Sequence, residues 1–308
     1  MDTMTRTVLI LLCASILSGW GFSAIAFDPG EAMAWGGEIH SPDECRNEAT
    51  FAVAKGEGFL ECIRYFGFGL KIGETNSQVV VVMGGDRDSS LNKLPQDIEG
   101  NTPTQRLQLA RKLGTLVGAP VILLSRPGIY GSTGDHRNKR TLKEFLPISA
   151  ALDTLKHRYG VKRWVLVGHS GGGTAAAALL TLGRTDVDCV VVTSGAFDLV
   201  ERANRYRQSK GLKIKPFTDL TGTVNPYDPL YRLDGVPNDP ARTVFILGDP
   251  RDQVTPFEFQ VRFADSLKAR GHKVRVVEVE AIPPKHHDLA SGVAWTSAKS
   301  CVASKVRN

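Results

Sequence analysis

The sequence lacks the features of several large classes of protein. It has no C-x-x-C pair, and its histidines are not spaced as metal ligands, so we expect no metal site. No internal repeat is present, which excludes propellers and solenoids. The basic cluster in 202–215 does not alternate with aromatic residues. Despite the formal net charge of +6, we therefore expect no nucleic-acid partner.

An uninterrupted apolar run of the kind that anchors a chain permanently in a membrane is also missing. The apolar segment that begins at Val8 is interrupted by serine and glycine, and it follows one early basic residue, Arg6. The A-x-A pattern of residues 24–26 comes next, which is typical of a secretory signal. We expect residues 1–26 to be a signal peptide and the mature chain to be exported, periplasmic or secreted, with a retained membrane anchor as the alternative. A second A-x-A at 32–34 leaves the cleavage site open.

Cysteine is scarce, and its number is informative. Without the signal peptide four cysteines remain: Cys45, Cys62, Cys189 and Cys301. In an oxidising compartment an even number predicts two disulfides, although three pairings are open and buried free thiols are the alternative. Cys45–Cys62 is the easier pairing because it closes a short loop.

Short apolar runs alternate with helical patterns after residue 75. Strands are predicted at 78–85, 120–125, 163–168, 188–195, 242–248 and 273–280. Helices are predicted at 104–118, 142–160 and 257–270, with a break at Pro147 left open. Strands separated by helices predict a largely parallel sheet covered on both faces. Residues 45–75 are expected to add antiparallel edge strands, so 27–308 is predicted to be one α/β domain.

Residues 197–241 form a segment longer and more irregular than a crossover between two strands needs. It contains five prolines: Pro216, Pro226, Pro229, Pro237 and Pro240. Open α/β sheets bind ligands at the carboxyl edge of the strands. The segment is therefore either a small lid over that edge or a plain surface excursion.

The stretch "VLVGHSGGGT" at 166–175 carries the strongest chemical signal. No lysine follows its glycines as in a phosphate-binding loop, and the dinucleotide-binding spacing also fails, so we expect no cofactor. It does match G-x-S-x-G, with Ser170 between Gly168 and Gly172. An apolar strand precedes it and a small-residue helix follows. This is the context in which a sharp turn presents a nucleophilic hydroxyl.

A serine hydroxyl needs a general base, and the base needs an acid that orients it. The loop "DPRDQVTP" at 249–256 follows one predicted strand, and "AIPPKHHDLASG" at 281–292 follows the last one. Because both loops leave the carboxyl ends of strands, we expect them on the same sheet edge as Ser170. The order of nucleophile, acid and histidine along the chain is then complete.

With these segments the sequence resembles the α/β-hydrolase superfamily from about residue 50 to its end. Family members often carry the acid in D-x-V-x-P, which the resemblance places at Asp252, with Asp249 as the alternate. In family members the catalytic histidine is often followed by any one residue and then by an apolar residue. The stretch "HDL" therefore implies that His287 is the base, with His286 as the alternate.

The oxyanion hole of such an enzyme needs two N–H donors. One is expected from Gly171, directly after the nucleophile, and the other from Gly85 or Asp86 in the loop "MGGD". Many relatives carry a His-Gly start at that loop, so the second donor stays open. The loop at 125–137 also resembles the family, and it offers either a structural turn or three substrate contacts: Arg126, Tyr130 and His136.

The C-terminal third looks most like the prolyl oligopeptidase and dienelactone hydrolase branches, without a propeller. We expect an exported serine hydrolase that acts on a small-molecule ester. Cleavage of a short peptide, acyl transfer and thioester cleavage are the alternatives within the same mechanism. A catalytically silent hydrolase fold that binds a ligand is the alternative outside it.

Overall fold

The computed structural model describes residues 31–38, 40–45, 50–289 and 292–303. The expected signal peptide at 1–26 lies outside the described residues, as do the alanines expected at its cleavage site. In the described part of the chain no helix is long and apolar enough to cross a membrane.

Eight strands form one sheet. They are β1 (Phe51–Gly56), β2 (Phe59–Phe68), β3 (Asn76–Met83), β4 (Val121–Leu124), β5 (Val161–His169), β6 (Val187–Thr193), β7 (Thr243–Gly248) and β8 (Lys273–Glu278). Their order is β1-β2-β4-β3-β5-β6-β7-β8. β1 and β2 form an antiparallel hairpin at one edge, and the strands from β3 to β8 are parallel. The predicted α/β class and the antiparallel edge are confirmed.

Six helices accompany the sheet. They are α1 (Pro103–Val117), α2 (Leu142–Tyr159), α3 (Gly171–Thr181), α4 (Leu199–Ser209), α5 (Phe257–Ala269) and α6 (Val293–Ala303). The sheet divides the core into two hydrophobic clusters, one with α2, α3 and α5 and the other with α1 and α6. In β5, Trp164 and Leu166 belong to the first cluster, whereas Val165 and Val167 belong to the second. This alternation is what a strand buried on both faces requires.

The helix predicted at 142–160 is continuous, so the break considered at Pro147 does not occur. Pro147 lies in the second turn of α2 and is buried. Its missing N–H removes one backbone hydrogen bond near the amino end. The helix stays intact because its apolar face remains buried, from Phe145 to Leu155.

All four cysteines of the expected mature chain are paired. Cys45–Cys62 joins a short 3-10 turn to β2, as the spacing favours, and Cys189–Cys301 joins β6 to α6. The alternative of buried free thiols is therefore wrong for this structure.

The irregular segment 197–241 contains α4, which the sequence pattern did not predict. Near the start of α4, Arg202 Nε donates to the carbonyl of Val254, 2.8 Å away. At the far end of the segment, Tyr227 N donates to the carbonyl of Arg140, 2.7 Å away. Val254 follows β7 and Arg140 follows β4, so the segment contacts two loops at the carboxyl edge of the sheet.

Candidate active site

Ser170 lies at the turn between β5 and α3. Its backbone has φ 52° and ψ −121°, a region that a non-glycine residue seldom adopts. The turn requires small neighbours. A Cβ at Gly168 would lie 2.2 Å from the carbonyl oxygen of Gly172, and one at Gly172 would lie 2.3 Å from that of Met83. The glycines of the G-x-S-x-G motif therefore allow β5 and α3 to approach closely behind the serine.

Asp252 and His287 form a close pair. Nδ1 of His287 lies 2.9 Å and 3.2 Å from the two carboxylate oxygens of Asp252. The backbone N–H groups of Val254 and Thr255 each donate to Asp252 Oδ1 at 2.8 Å, and the carboxylate is buried. These bonds hold the acid in place and leave the Nε2 side of the imidazole for another group.

Asp249 and His286, the alternates, form a second pair beside the first. Nδ1 of His286 lies 3.3 Å from Asp249 Oδ2. Asp249 also accepts hydrogen bonds from Arg251 and from the backbone N–H of Ala281. The bonds from Arg251 are the main reason that the pKa of Asp249 lies well below its usual range, with burial acting against them. Asp249 thus ties the loop after β7 to the loop after β8.

The loops of the serine, the acid and the histidine meet at Ser194. The hydroxyl of Ser194 donates to the carbonyl of His287 at 2.7 Å, and its own carbonyl lies 2.8 Å from the Thr255 hydroxyl. The backbone N–H of Ser170 donates to the carbonyl of Thr193, the residue before Ser194. The rings of His169 and His287 are 5.0 Å apart. Within the described residues, no hydrogen bond joins the Ser170 and His287 side chains.

The expected oxyanion-hole residues lie around Ser170. Gly171 is the first residue of α3, where a backbone N–H has no acceptor within the helix. A Cβ at Gly85 would lie 3.2 Å from the Cβ of Ser170, so the backbone of this loop passes directly beside the serine. Asp86 contacts Gly171 with its carboxylate, since a Cβ at Gly171 would lie 2.0 Å from Asp86 Oδ1.

That carboxylate belongs to a buried ionic cluster that the sequence pattern does not predict. Asp86 pairs with Arg126 at 3.0 Å and with Arg140 at 2.6 Å, and Arg126 Nε donates to Glu144 at 2.6 Å. Burial alone would raise the pKa of Asp86, but Arg140 and Arg126 hold it well below its usual range. The cluster keeps the loop after β3 against the amino end of α3. In the sequence, the only sign of this cluster is a set of charged residues in the 125–137 loop and just after it.

The other two residues considered in that loop are also buried. His136 Nε2 accepts from the backbone N–H of Arg87 at 3.3 Å, and burial together with the charge of Arg126 lowers the pKa of His136 to about 3. Tyr130 lies under the guanidinium of Arg106, whose central carbon is 4.2 Å from the ring centre. These contacts fit the structural turn rather than substrate contacts.

A cavity of about 620 Å³ is lined in part by this loop. Its lining includes Trp35, Phe59, Gly134, His136 and Lys143. None of the expected triad residues lines it, so we do not place the substrate there.

No protein-family model and no curated protein matches the sequence. Solved structures do match. Est1E from Butyrivibrio proteoclasticus superimposes with a TM-score of 0.56 at 16% identity, covering 84% of this chain and 100% of that one. The Pyrococcus furiosus esterase Pf2001 gives 0.55 at 16% identity, covering 89% and 97%. The Pyrococcus horikoshii acylaminoacyl peptidase gives 0.52 at 13% identity, covering 83% of this chain and 40% of that chain. At these identities the likeness establishes a shared fold.

Proposed function

Because this chain has the α/β-hydrolase fold, we propose that it is a serine hydrolase that cleaves carboxylic esters through an acyl-enzyme on Ser170. The observation that carries the proposal is the strained serine at the turn between β5 and α3, with the Asp252–His287 pair in adjoining loops. Strain of this kind is kept where a side chain must be held in one position.

In the proposed reaction, Ser170 Oγ attacks the carbonyl carbon of the ester while His287 Nε2 takes the hydroxyl proton. The C–O bond to the leaving group breaks, and the imidazolium returns the proton to the departing oxygen. Asp252 stays ionised and orients the ring through Nδ1–H. A water molecule, deprotonated by His287, then hydrolyses the acyl-enzyme and regenerates Ser170.

The negative oxygen that develops in each half-reaction needs donors. We assign one to the backbone N–H of Gly171 and the other to the backbone N–H of Gly85 or Asp86. Loss of one such donor costs on the order of 3 kcal/mol of transition-state stabilisation. The positive charges of Arg126 and Arg140 offset the carboxylate of Asp86, which would otherwise oppose an oxyanion nearby.

We favour ester cleavage over peptide cleavage because of the fraction of each structural neighbour that this chain matches. The two esterases match over nearly their whole length, whereas the peptidase matches over 40% of its own. Peptide cleavage remains the second candidate, since the peptidase shares the fold. Est1E has also been solved with ferulic acid bound, a carboxylic acid of the kind that ester hydrolysis releases.

A fluorophosphonate probe tests the proposal. The mature protein should be labelled, Ser170→Ala should not be labelled, and the exposed control Ser209→Ala should be labelled like the wild type. Matched p-nitrophenyl esters and aminoacyl naphthylamides then rank the two substrate classes. Absence of labelling in the folded wild type would favour a ligand-binding protein, and faster cleavage of the amides would reverse the ranking.

We also propose that the chain is exported. The signal-like residues 1–26 support this, and so do the two disulfides, because such bonds persist in oxidising compartments. Export predicts a mature protein that begins at Phe27, or at Trp35 if the second A-x-A is cleaved, which N-terminal sequencing of the secreted or periplasmic fraction would detect. A protein that retains Met1 would contradict it.

A further inference from the structure

Arg202 connects the irregular segment to the loop that carries the proposed acid. It lies in the first turn of α4, half-buried, and its Nε donates to the carbonyl of Val254 at 2.8 Å. The N–H of the same Val254 donates to Asp252. Val254 therefore links Arg202 to Asp252 through two hydrogen bonds: its carbonyl accepts from the guanidinium, and its N–H donates to the carboxylate.

The other arginines of α4 have partners that occupy their guanidinium groups. Arg205 pairs with Glu201 and Glu258, and Arg207 donates to the carbonyls of Thr218 and Asp219. Both therefore have clear structural roles.

Arg202 differs from these neighbours. Within the described residues no carboxylate lies at ion-pair distance from it, and its two terminal nitrogens have no hydrogen-bond partner. Those nitrogens are also not among the buried polar atoms that lack partners, so they reach solvent.

The charges around Arg202 do not neutralise it. Arg140 repels it, and the three nearby carboxylates are engaged elsewhere: Asp86 with Arg126 and Arg140, Asp252 with His287, and Asp219 with the loop at 221–223. Burial, followed by the charge of Arg140, lowers the pKa of Arg202 to about 10, so it is still protonated at neutral pH. Arg202 therefore keeps a positive charge that no carboxylate of the described residues pairs with, and its two terminal nitrogens face solvent, where an anion can reach them.

We propose that Arg202 binds an anionic group of the substrate. The preferred substrates are then esters that also carry an ionised carboxylate. The inference rests on the proposed ester hydrolysis. Since Nε is engaged by Val254, the two terminal nitrogens remain as an end-on fork, which matches the two oxygens of a carboxylate. The site lies between α4 and the acid loop. The carboxylates whose charges act on Arg202 include Asp252 of the proposed triad and Asp86, which lies against Gly171, so a substrate anchored there would have its ester near Ser170.

Two pairs of esters test the charge preference. The p-nitrophenyl monoester of adipic acid compared with p-nitrophenyl hexanoate places the charge on the acyl side. The pair 4-acetoxybenzoate and 4-acetoxybenzamide places it on the leaving group. We expect the wild type to favour the anionic ester in at least one pair by roughly 10-fold or more in kcat/KM, as charge-assisted hydrogen bonds imply.

The variants identify the residue responsible. Arg202→Gln should raise the KM for the favoured anionic ester by at least about 10-fold relative to the KM for its neutral partner, because any loss through the Val254 contact affects both esters equally. Arg202→Lys should retain part of the preference, because it keeps the charge but not the fork. Arg205→Gln, on the same helix and exposed, should retain all of it.

A purely structural role for Arg202 predicts a different pattern. If Arg202 only holds the segment to the acid loop, Arg202→Gln will lower kcat/KM for both members of each pair equally, and the proposal fails. It also fails if the wild type shows no charge preference in either pair.

Binding without turnover separates this inference from the proposed function. Calorimetry on Ser170→Ala should show tighter binding of the anionic ester than of the neutral ester in at least one pair, and Ser170→Ala with Arg202→Gln should lose the difference. If the wild type hydrolyses no ester but this difference is present, the proposed function fails and the anion site stands. If the wild type hydrolyses neutral esters but the binding difference is absent, the proposed function stands and the anion site fails.

Discussion

At the scale of single residues, the two histidine–carboxylate pairs have different partners. Asp252 is bonded to backbone N–H groups of its own loop and to His287. Asp249 accepts hydrogen bonds from Arg251 and Ala281, and His286 lies beside it without a hydrogen bond from its Nδ1. The first set orients an imidazole, and the second ties two loops together.

We therefore predict that Asp252→Asn lowers kcat for a p-nitrophenyl ester by about 10⁴-fold, because the acid no longer fixes the tautomer or stabilises the imidazolium. Asp249→Asn should keep kcat within several-fold of the wild type and lower the free energy of unfolding, since a hydrogen-bonded buried carboxylate is altered. Steady-state kinetics and urea denaturation measure the two effects.

The histidines provide the matched control. His287→Gln should lose activity as Asp252→Asn does, while His286→Gln should keep most of it. If the losses follow Asp249 and His286 instead, the acid and the base are the alternates.

The residues of the nucleophile turn could be predicted from the sequence because the backbone conformation and close packing of the turn are local. The positive φ of Ser170 and the close approach of Gly168 and Gly172 depend on residues within one turn. The pairing of Asp86 with Arg140 joins residues far apart in the chain, and only the packing of three loops determines it. For the same reason, a preference between Asp252 and Asp249 needed family resemblance.

At the scale of elements, strands and helices with a strong apolar pattern were predicted to within a few residues. β3 and α5 are examples, because the core covers whole faces of each. α4 was missed because only three of its side chains, Leu199, Ala203 and Arg207, are buried. These three residues recur every four positions, but one of them is an arginine and the rest of the helix is strongly polar, so the stripe does not read as an apolar face.

The loop that follows β4 gives a pH-dependent prediction. Burial lowers the pKa of His136 to about 3 in the folded protein, against about 6.5 in an unfolded chain. Between these values the unfolded state binds one more proton, so stability falls as the pH decreases below about 6.5. The contribution of this single group is about 1.4 kcal/mol per pH unit.

His136→Gln should therefore reduce the loss of unfolding free energy between pH 7 and pH 5, measured by urea denaturation at each pH. Glutamine can still accept from the N–H of Arg87. His157→Gln, at an exposed position on α2, is the control and should keep the wild-type pH dependence. An equal acid-induced loss in wild type and His136→Gln would show that His136 does not remain neutral in the folded state.

At the scale of the whole molecule, the two disulfides constrain the chain to different extents. Cys45–Cys62 spans 17 residues near one edge of the sheet, whereas Cys189–Cys301 spans 112 and connects the middle of the sheet to the last helix. In the loop-entropy account, a cross-link destabilises the unfolded chain more when the loop is longer. The expected contributions are about 3 kcal/mol and about 4.7 kcal/mol.

We predict that replacing both Cys189 and Cys301 by alanine lowers the free energy of unfolding more than replacing both Cys45 and Cys62. Urea denaturation of the two double variants, each beside the oxidised wild type, measures the difference. Activity in the absence of urea should persist in both, because Cys189 lies near the amino end of β6 and the proposed triad lies at the carboxyl edge. A larger loss for the 45–62 variant would mean that native contacts around β1 and β2, rather than chain entropy, dominate the effect.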